Sequence, residues 1–144
     1  MGSRRSARIL ALQALYQIDM SELCGDEILK FSWLDKQYDD ATIEFARLLV
    51  KGTLENLQNI DDHIKRQLEH WDLDRVSYVD RAILRFSTYS LFSQADVPDT
   101  VIINEAIDIA KIFGSDDSYR FVNGVLDGIR KEKNREREDL GESI

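Results

Sequence analysis

Proline occurs once, at position 98, and that single break sets the layout of the chain around it. Its ring fixes φ and disfavours helix at Val97, so a new helix has to begin just beyond. Ile102, Ile103, Ala106, Ile107, Ala110 and Phe113 then recur at helical spacing, with Glu105, Asp108 and Lys111 mostly opposite, which predicts an amphipathic helix buried along one stripe. Gly114 ends it. A glycine there is expected in the left-handed C-terminal conformation, with Ser115, Asp116 or Asp117 capping the next helix. That helix carries Tyr119, Val122, Val125, Leu126 and Ile129. Gly124 inside it costs about 1 kcal/mol relative to alanine, which points to close approach by another backbone or a ligand, close helix packing being the plainer account.

The other segments read the same way. Ile9, Leu12, Leu15 and Tyr16 share a face of an N-terminal helix whose start carries Arg4, Arg5 and Arg8. Cations oppose the helix dipole there, and a phosphate would resolve the conflict by using both the arginines and the free N–H groups of the helix end. From the pattern alone, a solvated basic terminus accounts for them as well. Residues 21–36 read as a loop holding a short helix. Asp39 or Asp40 caps a long helix through Leu57 that breaks near Asn59 and resumes towards Trp71. Ser77 and Asp80 form an approximate capping box for a wide-faced helix through Phe92, the expected core. Negative charge at Asp74 and Asp80 suits the start of that helix. Residues 131–144 are expected to be a charged tail without a core role, after a single domain spanning 1–130.

With 7 glycines, 43% apolar residues and no internal repeat, the chain reads as all-α. The lone Cys24 cannot form an internal disulfide or a cysteine-cluster zinc site, and this usage with no membrane-length apolar run or signal peptide suits a cytoplasmic protein. His63 and His70, seven apart, read as surface histidines rather than a metal site. No cofactor is expected. Glycine-rich phosphate loops, HExxH and paired cysteines are absent, and capping explains the Asp116 and Asp117 pair, so the chain reads as a binder rather than an enzyme. Its net charge of −8 argues against a general nucleic-acid coat. Charge is unevenly spread, however: residues 1–18 hold three arginines and no acid, while 96–127 is acidic, as suits a protein meeting RNA at one edge and a basic protein elsewhere.

INEAIDIAKIFG followed by DDSYRFVNGVLD resembles the C-terminal signature of the NusB family of bacterial transcription antitermination factors. RRSARILALQALYQID resembles that family's N-terminal helix and DRAILRFSTYSL its central one. The resemblance implies a compact bundle of about seven helices in two packed subbundles. It also implies a partnership with NusE, a small-subunit ribosomal protein, on boxA single-stranded RNA in nascent ribosomal transcripts, within an RNA polymerase antitermination complex containing other Nus factors. Carried over by residue, RNA contacts fall on Arg4, Arg5, Arg8, Asp117, Ser118, Arg120 and Phe121, and NusE contacts on Tyr16, Asp74 and Asp80. Ser6 departs from the arginine run of some members, which implies weaker RNA binding without the partner. Tyr16 and Phe121 also fit packed aromatics. Other readings are a helical RNA-binding domain like that at the N-terminus of certain ribosomal-RNA cytosine methyltransferases, and a homodimeric scaffold. No α/β methyl-donor domain is expected after Ile129.

Overall fold

The computed structural model describes residues 3–21, 25–69 and 72–142. Cys24 and His70 lie outside these residues. Among the described residues there are seven α-helices, one short 3-10 turn at Leu73–Arg75, and no strand. The helices are α1 (Ser3–Met20), α2 (Gly25–Ile28), α3 (Asp40–Glu55), α4 (Leu57–Gln67), α5 (Tyr78–Ser93), α6 (Asp99–Phe113) and α7 (Ser118–Glu142).

Helix α5 is the core element, as its wide apolar face predicts. Ala82, Ile83, Leu84, Phe86 and Leu91 are buried, along with Ser87, Thr88 and Ser90. It packs against α1 and α3 on one side and against α4, α6 and α7 on the other, which gives two subbundles sharing one helix. Its start is fixed by Ser77, whose hydroxyl accepts the Asp80 N–H at 3.1 Å. Asp39 caps α3 in the same way through Thr42 N–H at 2.8 Å. The break between α3 and α4 comes at Asn56, not near Asn59. There the side-chain amide of Asn56 donates to the Gly52 carbonyl at 2.8 Å and closes the turn earlier than periodicity suggests. A Cβ at Gly52 would collide with the Tyr89 ring, so the glycine allows α3 to lie close against α5.

Two polar networks tie the helices together. Arg85 on α5 makes a paired contact with Asp61 of α4, 3.0 Å on each arm, and reaches Asp19 of α1 at 3.2 Å. Lys133 on α7 donates to the Leu91 carbonyl at 3.0 Å and to Asp99 at 2.6 Å. The expectation that the charged C-terminal segment has no core role is therefore corrected at Lys133, which is buried, with α7 running through position 130 without a break.

His63 is also corrected: it is a buried residue. Its ring stacks on Phe92 with centroids 4.4 Å apart, and Nδ1 accepts from the Arg66 guanidinium at 2.6 Å. Burial, reinforced by the charge of Arg66, lowers its pKa from the usual histidine value, against the opposing pull of Glu136, Glu132 and Asp62. Because the folded pKa lies below the unfolded one, the stability this favours is complete above about pH 6.5 and is lost as pH falls through the folded value. Denaturation of the parent and His63→Asn between pH 5 and 8 should show a steeper acid-side loss in the parent; parallel curves would refute the assignment.

Candidate nucleic-acid and partner interface

The three arginines at the start of α1 have separate environments. Arg4 is exposed, with its guanidinium 4.0 Å from the centroid of Phe45 on α3. Arg5 crosses to α6, where it donates to both oxygens of Glu105 at 2.9 and 3.3 Å and to Asp108 at 2.7 Å. These carboxylates, Glu105 foremost, hold its pKa above the usual arginine value. Arg8 is only 6% exposed and lies 5.7 Å from the Phe45 centroid, with the Glu105 carboxylate at 4.0 Å. Burial is the main influence on Arg8 and pulls its pKa down, with Glu105 opposing. Of the three, Arg4 offers its charge to solvent most directly.

At the link between α6 and α7, Gly114 has φ −90° and ψ −173°, an extended conformation and not the left-handed one expected. Glycine is required by packing, since a Cβ there would strike the Ser118 hydroxyl. Ser118 accepts the Ser115 N–H at 2.9 Å while its own N–H donates to the Ser115 carbonyl at 3.1 Å. It is buried, so its place is to hold the link. Asp117 and Arg120 are exposed and Phe121 is half-buried. Among the described residues, leaving aside the glycine's neighbours and its own helix backbone, nothing lies within 4 Å of a Cβ built on Gly124, so their packing does not account for that glycine.

Asp117, Ser118 and Phe121 line a cavity of about 280 Å³ together with Arg75, Ser77 and Asp80. Residues assigned from the sequence to RNA and to a protein partner thus meet in one cleft. Asp80 is 8% exposed, and its Oδ1 has no hydrogen-bond donor among the described residues. A buried carboxylate oxygen without a donor is costly, and a molecule bringing N–H groups would relieve it. Asp74 stands exposed on the 3-10 turn nearby.

A larger cavity, about 640 Å³, is lined by Leu12, Tyr16, Trp33, Lys36, Val79 and Phe113 among others. Tyr16 is 38% exposed and packs edge-on against Tyr78 with centroids 6.1 Å apart, so it belongs to the surface and not to the core. Phe113, read from periodicity as the last core position of α6, is exposed on this wall, while Ile109 takes the buried place. Phe113 and Arg75 line these cavities although the sequence does not single them out for a site; for Phe113 the available signal is its position in the last turn of an apolar stripe, where the helix leaves its neighbour. Among the described residues there is no group of three or more His, Cys, Asp and Glu side chains able to hold a metal ion, and no helix long and apolar enough to cross a membrane.

Residues 5–131 match the family model described as the NusB family. The transcription antitermination protein NusB of Treponema pallidum (strain Nichols) is 51% identical over 130 residues, covering 89% of this chain and 92% of that protein. The protein of the same name from Bacillus licheniformis is 50% identical over 129 residues, covering 90% and 97%. Among solved structures, NusB of T. maritima superposes with a TM-score of 0.83 at 45% identity, over 90% of this chain and 91% of that one. A crystal structure of antitermination factors NusB and NusE in complex with dsRNA gives 0.76 at 26% identity, over 92% and 98%.

Proposed function

The chain belongs to the NusB family, and from that premise we propose that it acts in transcription antitermination by holding boxA single-stranded RNA jointly with NusE. The observation that carries the reading is the shared cleft: Asp80 from the partner-facing set and Asp117 and Phe121 from the RNA-facing set line one cavity. Two macromolecules meeting there would each complete the other's surface. NusE, as a ribosomal protein, is expected to be basic, so it suits acidic Asp74 and Asp80. RNA suits the exposed Arg4 and Arg120 and the half-buried ring of Phe121, since single strands are bound by stacking and by phosphate contacts. The protein acts as a cytoplasmic, non-enzymatic binder within the polymerase antitermination complex.

The test is a titration of a fluorescent boxA-type strand with and without NusE, at two salt concentrations, against a scrambled strand and a duplex. Selective binding that tightens with NusE supports the reading; equal affinity for all strands under every condition overturns it. The arginines are expected to separate within the same assay. Arg4→Ala should reduce the salt slope by about 0.7, the share of one single-strand phosphate contact, with little change in Tm. Arg8→Ala should lower Tm, because it removes a buried side chain beside Phe45 and Glu105.

A further inference from the structure

Tyr119 is the one ring among the described residues flanked by two cations that both lack a carboxylate partner. Lys111, in the last turn of α6, places its Nζ 5.2 Å from the ring centroid, and Arg120, in the first turn of α7, places its guanidinium carbon 5.3 Å away. Both cations are exposed, and neither makes an ion pair among the described residues. By contrast, Arg5, Arg81, Arg85, Arg130 and Lys133 are all engaged by Asp or Glu. In a chain of net charge −8, two positive side chains gathered on one ring and left without acids stand out. Tyr119 itself is packed against the core, so the ring is a fixed support that holds charges from two helices together.

We propose that Lys111 joins Arg120, both positioned by Tyr119, in a phosphate-binding platform for the RNA strand, which adds Lys111 and Tyr119 to the Arg120 contact already assigned and rests on the RNA-binding reading. Each cation is held within 5.3 Å of one ring centroid and has no acid among the described residues to neutralise it, so the phosphates of a strand running past Tyr119 gain a charge-assisted contact from each. The platform stands at the start of α7, whose dipole favours negative charge. Arg120 is also adjacent in sequence to Phe121, whose ring lines the cleft, so a strand with a base at the cleft has its backbone within reach of the α7 start.

The experiment is the salt dependence of boxA-strand affinity in the presence of NusE for the parent, Lys111→Gln with Arg120→Gln, Tyr119→Leu and Tyr119→Phe, with NusE affinity measured separately without RNA. The double variant should lose about 1.4 from the slope, two contacts at 0.7 each, and a loss of only about 0.7, the share of Arg120 alone, overturns the platform. Tyr119→Leu should lose part of it, Tyr119→Phe should match the parent, and NusE affinity should stay constant. A parental slope in the double variant, while Arg4→Ala still lowers it, overturns the platform and leaves RNA binding standing. Weakened NusE affinity without RNA assigns these cations to a protein surface and also overturns it. If the parent binds no RNA, the underlying reading and the platform fall together.

Discussion

Replacing Arg85 with methionine is expected to lower the unfolding free energy by about 2–3 kcal/mol, between the range for an exposed ion pair and that for a fully buried one broken from one side. Its side chain is 12% exposed and is shared by two carboxylates, Asp61 at 15% and Asp19 at 20%. Methionine keeps much of the length and the apolar stem, so the loss measures uncompensated charge more than a cavity. Arg81, 3.5 Å from Asp19, would support only one of the two stranded acids. Three helices are affected at once, because these residues lie on α1, α4 and α5. Urea denaturation should show a lower midpoint with an unchanged slope. Adding Asp61→Asn to Arg85→Met should recover part of the loss, since Asp61 is then no longer a charge without a partner while Asp19 keeps Arg81. A loss below about 1 kcal/mol, the range of an exposed ion pair, would mean that water already screens the network.

The helices were legible because each has to hide one stripe, and that stripe repeats in sequence. Cross-links between helices were not legible. Arg85 is 24 residues from Asp61 and 66 from Asp19, and periodicity carries no information about which exposed-looking charge turns inward to meet another. His63 carries a readable signal: it lies beside Ile60 and Ile64 on the buried stripe of α4, where a surface histidine would not be placed. Arg8 had one too, four residues before Leu12 and seven before Leu15 on the buried face of α1. At Gly114 the residue type was informative but its reason was not, because glycine answers equally to a left-handed backbone and to a crowded side chain. The candidate site residues come from the resemblance, whereas the meeting of Asp80 with Asp117 and Phe121 in one cavity needed the fold, since α5 and the α6–α7 link come together only on packing.

Burial separates the two acids proposed to face NusE, and Asp80→Asn is expected to weaken that partnership by about thirtyfold or more, against less than about tenfold for Asp74→Asn. Asp74 is exposed on the 3-10 turn, where salt screens its charge and a partner's cation gains little. Asp80 is buried at the cleft, and its Oδ1 lacks a donor among the described residues, so the carboxylate has little to lose within the protein and much to gain from a cation brought to it. Asparagine keeps the shape, and the N-cap contact of Ser77 uses the backbone N–H of residue 80, so the fold should survive the change. Raising salt should erode the contribution of Asp74 and leave most of that of Asp80. The measurement is NusE affinity of the parent and both variants by calorimetry at low and high salt, with Tm recorded alongside. Equal losses at the two positions, or unchanged affinity in Asp80→Asn with Tm intact, would remove Asp80 from the partner surface and leave the cleft to RNA alone.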